Sequence, residues 1–146
     1  MQETMHMLLY RAFHAQRNIL RPYMRTLGLG AGQPKLIAYL AEHGPCRQRE
    51  LADYFEVDPA AISRMVESLE KGGFITVAAD GKDRRRNLLS TTDRGLEAAR
   101  AWLAKRAQVE EIMLRGFSPE EREAFSAYLT RARQNYVGWK EEHPCE

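Results

Sequence analysis

Lys82, Arg84, Arg85 and Arg86 place four cations within five residues, with Asp83 as the one carboxylate among them. A run of this kind cannot be buried, because each charge would need its own partner. On an exposed turn it can hold phosphates or enter a narrow minor groove, the bland alternative being a solvated charge run. In the stretch before it, Pro59, Ala60, Ala61, Ser63 and Arg64 form a surface of short or polar side chains. Short side chains let a backbone approach a base-pair edge. A serine hydroxyl can donate to a phosphate, and an arginine can reach a phosphate or grip guanine through two hydrogen bonds. The alternative is an ordinary surface helix with one cation. Gln48 adds an amide, or a helix-starting N–H, for a further phosphate.

These groups need elements to hold them. Asp58 is an N-cap residue and Pro59 suits the first helical position, where a missing N–H costs nothing, so a helix begins there. Ile62, Met65, Val66 and Leu69 recur at helical spacing and form its buried stripe. Gly72-Gly73 stops it. Phe74 to Val77 reads as a strand, Asp80-Gly81 as a turn and Asn87 to Ser90 as the returning strand, a two-stranded hairpin with the cations at its tip. Ahead of it, a short helix from Gln48 to Tyr54 or Phe55 is buried through Leu51, Ala52 and Phe55, and Glu56-Val57-Asp58 is a three-residue turn. Two short helices joined by such a turn are a helix-turn-helix, and a basic hairpin directly after them makes a winged helix.

The flanks are longer than such a head requires. From about Thr4 to Leu27, Leu8, Leu9, Ala12, Phe13, Ile19, Leu20, Tyr23, Met24 and Leu27 repeat at helical spacing, with Pro22 marking a kink or one lost hydrogen bond. Gly28 to Gly32 breaks the chain. Gln33-Pro34 opens a second helix with Leu36, Ile37, Tyr39 and Leu40 inward, ended by Gly44-Pro45. Thr92 caps a long helix whose inner side is expected to carry Gly95, Leu96, Ala99, Trp102, Leu103, Ala107, Ile112, Met113 and Leu114, ending near Gly116. Ser118-Pro119-Glu120-Glu121 starts the last one, through Phe125, Tyr128, Leu129, Ala132, Tyr136 and Trp139. Long amphipathic helices on both sides of a small head point to a dimerisation module.

The chain's 146 residues suit one domain, and 29% charged with 44% apolar residues is ordinary globular composition. No apolar run suits a bilayer and no basic leader precedes an apolar block, so a cytoplasmic protein is expected. The net charge of +2 decides little. Residues 47–94 hold nine cations and nine anions, so any affinity for a polyanion must come from placement, with the acids expected at caps and on the far face. His6, Tyr10 and His14 share one helical face, where a metal is conceivable and unremarkable surface residues are the simpler reading. No metal or cofactor is expected. Cys46 and Cys145 are too far apart and too few for a disulfide framework or zinc knuckle. Beside Arg47, the Cys46 thiol could be acidified into a redox sensor, against the plainer reading of a small residue in a turn. Cys145 is incidental. An enzyme has only His43 near Cys46 to recommend it, with no third group to orient a base and no phosphate loop, so none is expected.

The order of elements, Q-R-E-L-A at 48–52, V-D-P-A-A-I-S-R-M-V-E-S-L-E-K-G-G-F-I at 57–75 and D-R-R-R-N-L-L-S-T-T-D-R-G at 83–95 together resemble the MarR family of bacterial and archaeal transcription regulators. The resemblance covers essentially the whole chain. It implies a mainly α fold with a small β-hairpin wing: a winged helix-turn-helix head at about 31–91, and long dimerisation helices at about 1–28 and 92–140, within one domain. It implies a homodimeric, signal-responsive repressor on a pseudo-palindromic duplex operator, with Arg85 in the minor groove and Asp83 orienting it. Family members take small aromatic or anionic effectors in a crevice between the dimer helices and the head, which Tyr10, His14, Arg17 and Tyr39 would line. Two positions depart from the family's pattern. Arg47 stands where a capping Thr or Ser is common, leaving that end looser or capped by Cys46, and Thr91 stands where leucine is commoner. The rival reading is a winged-helix protein adaptor that binds no DNA, which the basic wing argues against.

Overall fold

The computed structural model describes residues 2–79 and 87–145. Six helices and three short strands follow in the order α1 (Met5–Thr26), α2 (Gln33–His43), β1 (Cys46–Arg47), α3 (Gln48–Phe55), α4 (Pro59–Lys71), β2 (Ile75–Ala78), β3 (Leu88–Thr91), α5 (Asp93–Met113) and α6 (Pro119–Glu142). They divide into two compact units, Met1–Val109 and Glu110–Glu146.

In the first unit the expected stripes become the core. Leu36, Ile37 and Leu40 of α2, Leu51 of α3, and Ile62 and Leu69 of α4 are almost wholly removed from water, together with Leu89 of β3. Burial of these branched side chains, each contributing about 1.5–3 kcal/mol, is what fixes three short helices that would not persist alone. Tyr39, Phe55 and Met65, expected inside, are only partly covered and pack on the rim of the core. The turn after α3 is made by Glu56, which takes the left-handed conformation (φ 54°) as C-cap while Asp58 caps α4 through a bond from Ala60 N to Oδ1 at 3.1 Å.

The sheet differs from the expected two-stranded hairpin. It has three antiparallel strands in the order β1-β3-β2, with Cys46 opposite Leu89 and Arg47 opposite Leu88 on one side, and Ile75 opposite Thr91 and Val77 opposite Leu89 on the other. β1 is two residues long, too short to carry any alternation a sequence could reveal. It makes Cys46 a buried strand residue rather than a turn residue or helix cap. The cap of α3 comes instead from Glu50, whose carboxylate accepts from Arg47 N at 2.6 Å. A guanidinium has no acceptor with which to return that bond.

One joint ties the sheet to α5. Thr92 N donates to Phe74 O at 3.1 Å, Thr92 Oγ1 donates to Gly73 O at 2.7 Å and accepts from Gly95 N at 3.1 Å. The guanidinium of Arg94 lies 4.4 Å over the Phe74 ring. Gly95 is packed so closely on this joint that a Cβ there would collide with the Phe74 carbonyl. Along α5 the buried residues are Gly95, Ala98, Ala99, Trp102 and Val109, whereas Leu103, Ile112 and Met113, expected on the inner side, are exposed. α1 runs unbroken through Pro22 and buries no residue fully. Tyr23 packs toward α5, its ring lying 5.4 Å from Lys105 Nζ.

In the second unit Ser118 and Glu121 form a reciprocal capping box at the start of α6, with bonds of 3.1 and 2.8 Å. The fork of Arg122 grips the Glu111 carboxylate at 2.9 and 3.1 Å, and Phe117 packs on Phe125 with ring centroids 5.8 Å apart. α6 has no buried residue.

Gly95→Ala is expected to cost at least about 2 kcal/mol, because the atom it would strike is backbone and cannot rotate away. Thermal unfolding followed by circular dichroism checks this; a melting temperature within a degree or two of the parent would mean that the joint is looser than described.

Candidate nucleic-acid interface

α4 is clamped by one face and free on the other. Ile62, Val66 and Leu69 are buried, whereas Pro59, Ala60, Ser63 and Arg64 are exposed and Ala61 is half-covered. Three fully anchored residues on one side keep the opposite face turned outward, as a helix needs if its side chains are to meet base edges. Gln48 opens α3 and, half-buried, shares a hollow of about 260 Å³ with Ser63, Val66, Glu67, Glu70, Val77 and Asn87. The fold thus brings the start of α3, the outer face of α4 and the base of the wing strands to one place.

The same hollow corrects an expectation. Acids were expected at caps and on the far face, Glu67 excepted, which shares the outward face of α4 with Ser63; Glu70 borders the hollow as well, because positions 63, 67 and 70 fall on one side of a helix. Glu67 is paired with Lys71 at 3.2 Å. Two carboxylates beside Ser63 disfavour a phosphate there and suit donors such as the cytosine amino group. Of the wing residues, Lys82, Asp83, Arg84, Arg85 and Arg86 lie outside the described residues.

A second concavity, of about 290 Å³, lies in the first unit among α1, the loop after it, α2 and α5. Phe13, Leu20, Met24 and Trp102 give it apolar walls, and Arg17, Arg21 and Lys35 give it three cations. The indole N–H of the buried Trp102 has no hydrogen-bond partner among the described residues. An apolar slot with three cations among its lining residues suits a flat anion such as an aromatic carboxylate. Of the four residues the family resemblance suggested for such a crevice, Arg17 lines this one. Tyr10 and His14 do not: they stack on each other at 5.8 Å, on the helix face next to that of Phe13, Arg17 and Leu20. Tyr39 stacks on His43 at 4.1 Å, also elsewhere. Arg21, Lys35 and Trp102 were missed, since nothing local in the sequence says that the loop after α1 folds toward α5.

The chemistry of Cys46 is the reverse of the one considered from its neighbour Arg47. Burial, and after it the Glu50 carboxylate, push the thiol up to about 11. His6 and His14 join no cluster, and among the described residues no group of three His, Cys, Asp or Glu could hold a metal ion.

The MarR family model matches residues 31–86, from the loop before α2 to the wing. YxaD of Bacillus subtilis, described as an uncharacterized HTH-type transcriptional regulator, is 33% identical over 113 residues, covering 77% of this chain and 79% of that protein. The chain belongs to the MarR family. MdtR of Bacillus subtilis, an HTH-type transcriptional repressor, is 33% identical over 107 residues, 73% of this chain and 68% of that one. The solved structure of Bordetella bronchiseptica BpsR, whose DNA binding is regulated by 6-hydroxynicotinic acid, matches with TM-score 0.77 and 25% identity over 90% of this chain and 94% of that one. Membership decides between the two readings of the winged helix: this MarR chain is a DNA-binding transcription regulator rather than a protein-only adaptor. No helix among the described residues is long and apolar enough to cross a membrane.

A thiol held near 11 is ionised to only about one part in ten thousand at neutral pH. Alkylation at pH 8 should therefore modify the exposed Cys145 quickly and Cys46 at least about a hundredfold more slowly until denaturant is added. Equal rates for the two, read by mass spectrometry of the modified peptides, would restore Cys46 as a reactive thiol.

Proposed function

We propose that this MarR-family chain is a cytoplasmic homodimeric repressor, without enzymatic activity, that binds a pseudo-palindromic duplex operator and releases it when a small aromatic acid fills the crevice beside Arg17. The observation that carries the reading is the outward face of α4, where Pro59, Ala60, Ser63 and Arg64 stand exposed on a helix whose other side is fixed by Ile62, Val66 and Leu69. In this reading each α4 enters a major groove and each wing lays Arg85, oriented by Asp83, in the adjacent minor groove. Lys82, Arg84 and Arg86 hold flanking phosphates, and Gln48 meets the duplex from the start of α3.

Dimerisation is supported by what the single chain leaves uncovered. Met5, Leu8, Leu9 and Phe13 on α1, and Tyr128, Leu129, Tyr136 and Trp139 on α6, are exposed large hydrophobic side chains. Apolar surface on this scale in two separate helices calls for a partner, and a two-fold copy would bring both its patches at once. Residues 1–28 and 92–140 supply this contact, and about 31–91 the DNA-reading head. Release by an aromatic acid is supported by the three cations among the lining residues of the crevice, and by the effector of BpsR.

The test uses an operator selected from a random duplex library. Arg64→Ala and Arg85→Ala should each weaken operator binding by about 10- to 100-fold, with the dimer intact by light scattering. Wild-type affinity in both would overturn the interface. 6-Hydroxynicotinic acid should raise the operator Kd, and Arg17→Ala and Arg21→Ala should blunt that rise without changing affinity in its absence. A Kd unmoved by the acid in the parent protein counts against this effector class.

A further inference from the structure

We propose that Gln33 is a positioning residue for DNA recognition: through its bond to Ser68 it sets the rotation of α4, and it joins that setting to the wall of the crevice. Gln33 is the buried polar side chain of the described core. Its Oε1 accepts from Gly30 N at 2.8 Å and its Nε2 donates to Ser68 Oγ at 2.8 Å. The backbone N–H can only donate, so the amide can face just one way, and the serine hydroxyl is left as the acceptor. A buried amide is tolerated only when bonded, and here one bond closes the loop after α1 onto the start of α2 while the other reaches the recognition helix.

The same loop touches α4 a second time. Gly32 holds a left-handed conformation (φ 79°), and a Cβ on it would stand 3.0 Å from Met65 Sδ. Met65 and Ser68 are three residues apart, on one side of α4. The stripe of Ile62, Val66 and Leu69 holds the helix down with its polar face outward, but apolar contact is less directional than a hydrogen bond and constrains small rotations about the axis less sharply. Turning a helix by about 10° moves a side-chain tip roughly 8 Å from its axis by about 1.4 Å, more than a base-edge bond accepts. The Gln33–Ser68 bond is therefore the contact that discriminates between a helix merely docked and one aimed. Arg64, one turn before Ser68, and Ser63 are the side chains whose aim it decides.

The other side of this loop faces the crevice, where Ala31, Gly32, Pro34 and Lys35 form part of the lining opposite Arg17 and Arg21. This second part rests on the effector reading given above. A ligand drawing Lys35 toward its carboxylate pulls on residues adjoining Gln33, and the pull reaches α4 as rotation.

The test separates aim from attachment. Gln33→Met keeps the volume and removes both bonds; Ser68→Ala removes the acceptor; Ser68→Thr keeps it. Binding to the selected operator should fall about tenfold in Gln33→Met and in Ser68→Ala, while binding to random duplex DNA at low salt stays within threefold. The double variant should be no weaker than either single one, and Ser68→Thr should keep near-parental discrimination. Equal loss on both DNAs, or losses that multiply in the double variant, overturns the proposal. If Gln33→Met fails to fold by circular dichroism, the contrast between Ser68→Ala and Ser68→Thr decides alone. With 6-hydroxynicotinic acid present, the fold-rise in operator Kd should shrink toward one in Ser68→Ala. An acid that binds the parent but leaves its DNA affinity unchanged defeats the effector reading only, and the DNA comparisons still judge the positioning role.

Discussion

Everything this chain does at its outer surface depends on the burial of one stripe of α4. Ile62 and Leu69 have no measurable exposure, and Val66 next to none. Three anchors in two turns fix the depth and tilt of a thirteen-residue helix that could not hold itself in water. The stripe works because the elements beneath it bring complementary positions: Leu36, Ile37 and Leu40 from α2, Leu51 from α3 and Leu89 from the sheet. The polar face stays open to solvent, and the bond from Gln33 to Ser68 is made at its edge. This division of labour also explains why the head can be so small. Its helices are short, and tight capping at Asp58 and Glu50, with the turn at Glu56, spares it longer connections.

How much of this could be read from the sequence depends on whether the signal was local. The stripe on α4, the proline-led starts of α2, α4 and α6, and the turn at 56–58 are written in consecutive residues, and all of them appear in the structure. β1 was invisible because two residues show no period, and its presence turns Cys46 from a turn residue into a buried one. The neighbour that mattered to Cys46 was likewise misjudged. Arg47 is adjacent in sequence, but alternation along a strand sends consecutive side chains to opposite faces, and Glu50 and burial govern the thiol. The crevice is hard to read for a related reason: its cations come from two helices, Arg17 and Arg21 from α1 and Lys35 from α2, and part of its wall from Trp102 of α5. The inner side of α5 was drawn too wide because Leu103, Ile112 and Met113 satisfy the pattern of a buried stripe, although the chain alone leaves them exposed.

Hydrophobic residues that keep a helical period and yet remain exposed are informative in their own right. Scattered apolar side chains on a surface need no explanation, but those of α1 recur from Met5 to Ile19 and those of α6 from Tyr128 to Trp139. Apolar surface of this kind is what a second copy can cover, and covering it adds stability to the assembled form.

The balance of charge bears on how such a regulator discriminates. With nine cations and nine anions between residues 47 and 94, the head gains little from bulk attraction to a polyanion. Glu67 and Glu70 beside Ser63 sharpen the point, since they penalise a duplex that slides a phosphate into their hollow. A strongly basic head would bind any DNA well and leave little room for discrimination, because non-specific affinity grows with each phosphate neutralised. A neutral head binds firmly only where a few placed groups all meet their targets, so its specificity is as good as the aim of α4. That is why a buried glutamine holding one serine hydroxyl matters out of proportion to the ~1 kcal/mol an ordinary hydrogen bond contributes to stability. Its value lies in direction, which apolar burial supplies less sharply.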